Sequence, residues 1–156
     1  MISQLGRYEV VRELGQGAMG VVYQAKDPLI DRVVAIKTIN LGIAQEGKEE
    51  YEGRFYQEAR AAGRLNHPNI VTIFDTGKNG DDIYITMEFI DGISLKRYLE
   101  RYRSPLKERV EIMKSICRGV IYAHERHVIH RDLKPANVML LKDRTLKIMA
   151  FGLAKI

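Results

Sequence analysis

His130-Arg131-Asp132-Leu133-Lys134-Pro135-Ala136-Asn137 is the stretch from which the rest of this chain can be read. Pro135 keeps it out of a continuous helix, so it reads as a loop. Asp132 can accept a hydroxyl proton, Lys134 can neutralise a transferring phosphoryl group, and Asn137 offers a neutral oxygen to a metal. A polar turn without function is the competing reading, and one short string combining all three chemistries weighs against it. Before the loop, Met113, Ile116, Cys117, Val120, Ile121 and His124 recur at helical spacing, marking an apolar face on a helix over 107–125. Cys117 on that face is expected to be a buried thiol. After the loop, 138–141 and 146–149 read as a hairpin around Lys142-Asp143-Arg144-Thr145.

The first half has a different periodicity. Strands are expected over 8–14, 21–26, 32–40, 70–75 and 83–89, separated by turn signals at Asp27-Pro28, Thr76-Gly77 and Asn79-Gly80-Asp81-Asp82. One helix over 48–65 interrupts them and stops before Asn66-His67-Pro68. The fold class is therefore α+β in two lobes: a five-stranded antiparallel sheet with one helix over 1–90, then a helical region over 91–156.

The 156 residues carry 46% apolar and 29% charged side chains, too apolar a mixture for a disordered chain. A single cysteine excludes a disulfide scaffold and a cysteine zinc cluster. No apolar run is long enough to span a bilayer and the start is not a secretory signal, so a cytoplasmic, reducing setting is expected. The net charge of +5 lies wholly in residues 79–156, with fifteen basic against ten acidic side chains. No helix-turn-helix, zinc or aromatic RNA signature accompanies that excess, so nucleic acid is not the expected partner.

Gly15-Gln16-Gly17-Ala18-Met19-Gly20 is a glycine string of the GxGxxG kind. A dinucleotide fold requires a helix after it and a Walker loop requires Lys and Ser or Thr, yet Val21-Val22-Tyr23-Gln24-Ala25 reads as a strand. A glycine turn between strands remains, either a plain hairpin or one whose amides lie over phosphates. In Val34-Ala35-Ile36-Lys37, strand parity puts Ala35 and Lys37 on one face. A small residue beside a lysine lets a flat ring approach while the ammonium reaches phosphate. On the following helix Glu58 shares a face with Phe55, Ala59, Ala62 and Leu65. A carboxylate there is costly without a cation, and Lys37 is the expected partner.

Together with His67-Pro68-Asn69-Ile70-Val71, these motifs stand in the order that resembles eukaryotic-like protein kinases, over nearly the whole chain. Lys134, two residues after Asp132, resembles the serine/threonine class. Gly17-Ala18-Met19-Gly20-Val21-Val22-Tyr23 and Arg54-Phe55-Tyr56-Gln57-Glu58-Ala59 look like the bacterial branch. The resemblance implies that Lys37 contacts the α- and β-phosphates of ATP and pairs with Glu58. It makes Asp132 the catalytic base, with Lys134 beside it, and Asn137 a magnesium ligand. Gly15, Gly17 and Gly20 would cover the phosphates, while Leu14, Val22, Ala35 and Met139 sandwich adenine. Met87 would be the gatekeeper, with the Glu88 carbonyl and Ile90 amide on the adenine edge, and Arg131 would await a phosphorylated loop.

Two departures qualify the resemblance. The family's Asp-Phe-Gly stands here as Ala150-Phe151-Gly152, and a methyl group cannot ligate magnesium. That is either an isolated or engineered loss of the aspartate or the mark of a natural pseudokinase. The chain also stops at Ile156, before the family's activation segment and peptide platform. The expectation is a serine/threonine kinase fragment that binds ATP or ADP with weakened Mg2+ dependence and is itself inactive. Its parent would transfer the γ-phosphoryl group to protein Ser/Thr. The alternative is a nucleotide-binding pseudokinase or scaffold. The apolar face at 113–121 is expected to favour self-association.

Overall fold

Alternation of apolar and polar residues organises the first half of the chain into an antiparallel sheet. The computed structural model describes residues 2–16, 20–40 and 47–149; Gly17, Ala150, Phe151 and Gly152 lie outside the described residues. Strands β1 (Gln4–Leu5), β2 (Tyr8–Gln16), β3 (Val21–Asp27), β4 (Arg32–Asn40), β5 (Ile73–Asn79) and β6 (Asp82–Glu88) lie in the order β1-β2-β3-β4-β6-β5. The five expected strands are thus present, and a two-residue strand joins their edge. One face of this sheet buries Tyr23, Ala25, Val34, Ile36 and Tyr84 with Leu5 and Tyr8. Asp27 closes the end of β3, fully buried, with its carboxylate on the Arg7 guanidinium at 3.1 Å and on the Leu29 amide at 3.1 Å. Helix α1 (Lys48–Gly63) buries Phe55, Ala59 and Ala62. It is joined to the β5–β6 hairpin by Lys48–Asp81 at 2.5 Å and Glu52–Lys78 at 3.1 Å.

The chain divides into two compact units, residues 1–59 with 73–89, and 60–72 with 90–156. The second contains β7 (Gly92–Ser94), α2 (Leu95–Arg101), α3 (Leu106–Glu125), β8 (Val138–Leu141) and β9 (Leu146–Ile148), with β8 central in a three-stranded sheet. Ser94 caps α2 by accepting the Arg97 amide at 3.1 Å. Helix α3 ends in paired bonds, Val128 N–H to Ala123 O and His127 N–H to His124 O, with His127 at φ 61° where glycine is usual. The core gathers Leu65, Ile70, Leu95, Ala123, Val128, Val138, Leu146 and Ile148, with Ile112, Ile116 and Val120 of α3 against it.

Three expectations are corrected. Ile70 and Val71 are not the start of a sheet strand: Ile70 bridges Ile148 in parallel, and the Val71 amide donates to the Ile148 carbonyl at 3.0 Å. Their apolar run serves the second unit, and β5 begins only at Ile73. Thr76-Gly77 is not a turn but lies within β5, where Gly77 leaves room for the Tyr84 ring; a Cβ there would sit 2.2 Å from that ring. Cys117 is exposed rather than buried. The inward stripe of α3 runs through Ile112, Ile116, Gly119, Val120 and Ala123, leaving Met113 57% and Ile121 56% exposed. Gly119, against Ile148 and Ile70, let the packed face sit a step away from the one that apolar spacing suggested.

At the entry to the second unit His67 accepts the Asn69 amide on Nδ1 at 3.0 Å and lies 5.0 Å from the Tyr122 ring. Burial, then Arg126 and Lys147, push its pKa below the ordinary 6.5. The folded state thus favours neutral His67, so its stabilisation is full above pH 6.5 and is lost as pH falls below it. Urea midpoints between pH 7.5 and 5.5 should fall less steeply for His67→Asn than for the parent chain. In the first unit, Gly77→Ala should cost about 1–3 kcal/mol by overpacking against Tyr84. Gly63→Ala, where nothing lies within 4 Å, should be neutral or stabilising in the same denaturation measurement.

Candidate functional site

Strand register brings the sequence-derived residues of the first unit onto a common surface. Gly15 pairs with Val22, Val22 with Lys37, and Ala35 with Met87. Cross-strand partners share a face, as do residues two apart. Gly15, Val22, Ala35, Lys37 and Met87 therefore stand on one face, opposite the buried cluster of Tyr23, Val34 and Ile36. Glu88, paired with Val34, presents its side chain to the other face. Leu14 sits at a bulge between Glu13 and Gly15, partly exposed. Gly20 is demanded by space: a Cβ on it would lie 1.8 Å from the Thr38 carbonyl oxygen.

Lys37 is half-buried, and burial lowers its pKa from the ordinary 10.5. Among the described residues no ion pair reaches it. Glu58 is half-buried on the apolar face of α1, between buried Phe55, Ala59 and Ala62. The expected Lys37–Glu58 ion pair is absent, although both side chains belong to the first unit. A desolvated ammonium without a carboxylate favours an anion from elsewhere.

In the second unit the loop after α3 is held by its own side chains. His130 is 3% exposed; its Nδ1 accepts the Asp132 amide at 3.1 Å, which leaves Nε2–H to donate to the Met149 carbonyl at 2.6 Å. Arg131 between them takes φ 72°, a conformation that L residues rarely adopt. Pro135–Asn137 form a single 3-10 turn with Pro at its start. Asn137 Nδ2 donates to the Asp132 carbonyl at 2.8 Å and to its carboxylate at 3.3 Å. Lys134 Nζ lies 3.3 Å from that carboxylate. The Met149 amide donates to the Asn137 carbonyl at 2.8 Å, so the strand end and the loop are bonded at two points. Met139 on β8 and Ile90 are half-buried in the same unit.

With Nδ2 committed to Asp132, the Asn137 side-chain oxygen is its atom that could face a cation. Magnesium needs carboxylate partners besides a neutral oxygen. No cluster of three histidine, cysteine or acidic side chains suited to a metal exists among the described residues. With alanine at 150 as well, the described residues do not make a magnesium site.

Sequence reading missed the supporting groups. His130 and His67 each accept the amide two residues on, a shared His-x-Asp and His-x-Asn spacing that could have flagged both. Thr38, whose hydroxyl bonds both polar groups of Val21, carried no signal beyond lying beside Lys37.

The protein kinase domain family matches residues 8–156. The chain is 40% identical over 151 residues to the serine/threonine-protein kinase PrkC of Bacillus subtilis, covering 96% of itself and 23% of that protein. It is 39% identical over 155 residues to the serine/threonine-protein kinase PknB of Mycolicibacterium smegmatis, covering 96% of itself and 24% of that protein. The crystal structure of the Mycobacterium tuberculosis PknI kinase domain superposes with a TM-score of 0.86 at 32% identity. That match covers 99% of this chain and 64% of the PknI chain. This chain belongs to the protein kinase domain family, and the relatives it matches are named serine/threonine-protein kinases. It spans about a quarter of the length of these bacterial relatives. No helix among the described residues is long and apolar enough to cross a membrane.

Proposed function

We propose that this chain carries the nucleotide-binding part of a serine/threonine kinase that transfers the γ-phosphoryl group of ATP to protein Ser/Thr in its complete form. The observation that carries the reading is the loop in which Asn137 and Lys134 both reach the Asp132 carboxylate, at 3.3 Å each. Asp132 would take the proton of the acceptor hydroxyl, and Lys134 would offset charge on the transferring group. Lys37, desolvated and unpaired among the described residues, would hold the α- and β-phosphates. Glu58 would pair with it when α1 is so placed. Val22, Ala35, Leu14 and Met139 would bound adenine, with Met87, the Glu88 carbonyl and the Ile90 amide at its edge. Gly15, Gly17 and Gly20 would cover the phosphates, and Arg131 would meet a phosphorylated residue.

Alanine at 150 favours a second reading for the chain as it stands, a nucleotide-binding pseudokinase. Alanine cannot hold a metal, and the lost charge compensation would matter most as charge develops in the transition state. Binding should therefore survive the loss of the aspartate better than transfer. The apolar residues exposed on α3 (Leu106, Val110, Met113 and Ile121) would also support association between copies. Sedimentation should then show mass rising with concentration, and a monomer throughout would refute that surface.

Titration with a fluorescent ADP should give weak binding that magnesium barely changes. Ala150→Asp should make the same binding magnesium-dependent. In a chain holding the complete kinase domain, Ala150→Asp should raise peptide phosphorylation by about 10²–10³. Ordinary kinase rates with alanine at 150 would show that another group serves in its place. No ADP binding by either form would remove the nucleotide reading.

A further inference from the structure

The register of β3 on β4 runs from Asp27↔Arg32 to Val22↔Lys37. One residue further, the ladder is continued by a side chain. The Thr38 hydroxyl accepts the Val21 amide at 3.1 Å and donates to the Val21 carbonyl at 3.0 Å. It thereby uses one donor and one acceptor to satisfy both main-chain groups of Val21 that face β4. Thr38 is 6% exposed, so water does not readily replace either bond. The neighbouring residue is held as tightly, because Gly20 lies against the Thr38 carbonyl with no room for a Cβ. On its other side Val21 pairs with Gln16. The point where the chain leaves the glycine string is thus clamped to the residue that follows Lys37.

We infer that Thr38 is a positioning residue for phosphate: its hydroxyl fixes Gly20 and Val21 against β4 and so sets where the main chain of these two residues stands relative to the Lys37 ammonium. This rests on the proposed nucleotide site and adds to it the residue that aligns its two phosphate-facing parts. Valine is close to threonine in shape but offers no hydrogen bond, so Thr38→Val would leave the two half-buried main-chain groups of Val21 without their partner. The strand would then be free to shift at Val21, next to the Val22 that pairs with Lys37. Serine keeps the hydroxyl and should keep the clamp.

The test compares ADP with adenosine, titrated against the full chain and its variants. In Thr38→Val the ADP affinity should fall about tenfold while adenosine binding stays within about twofold, and Thr38→Ser should restore the ratio. Equal losses for both ligands, or no loss for either, would overturn the inference, since a merely structural role weakens both together. Should Thr38→Val fail to fold, Thr38→Ser against Thr38→Ala makes the same comparison at smaller volume. Hydrogen exchange at the Val21 amide reads the clamp without any nucleotide. It should speed up about tenfold when the hydroxyl is removed, and unchanged exchange would overturn the clamp. A parent chain that binds neither ligand would count against the nucleotide reading alone, and the exchange result would still decide the clamp.

Discussion

The loop that carries Asp132 hangs from the main chain of residues 146–149. Leu146 accepts the Asn69 side-chain amide, Ile148 exchanges bonds with Asn69 and Val71, and Met149 is bonded to both His130 and Asn137. On its other edge β9 pairs with β8. A buried strand must satisfy every amide and carbonyl, and here the 67–71 segment serves one edge and β8 the other. Two stretches distant in sequence, 67–71 and 130–137, are thereby brought to the same short strand.

The same economy appears in the turns themselves. His67 and His130 each take the amide two residues ahead on Nδ1, so an imidazole stands where a further main-chain acceptor would be needed. Arg131 accepts a left-handed backbone within one of these turns. Such conformations cost of order 1–3 kcal/mol and persist where the surroundings over-determine them. The paired bonds from Met149 to His130 and Asn137 supply that constraint, on either side of Asp132.

In the first unit the organising constraint is parity. Once Val34 and Ile36 are committed to the apolar cluster, Ala35 and Lys37 must face the other way, and register aligns them with Val22 and Met87. Lys37 is then desolvated and, among the described residues, without an ion pair, a state that favours an incoming anion.

Periodicity alone was enough for most of the sheet, the two long helices, the hairpin and the shared face of Ala35 and Lys37, because those depend on which residues must leave water. The motif around Asp132 was equally legible, since its side chains bond within a few residues of one another. Tertiary structure decided what local pattern could not. Ile70 and Val71 look like any apolar strand, but their partner is Ile148. Gly77 resembles a turn residue, but it makes room for Tyr84. Cys117 shares the helical spacing of its apolar neighbours yet is exposed, because Gly119 lets α3 settle on a different stripe. Glu58 and Lys37 carry opposite charges, but helix placement decides whether they meet. In each case the answer depends on a partner far away in sequence, whose position only the packed chain defines.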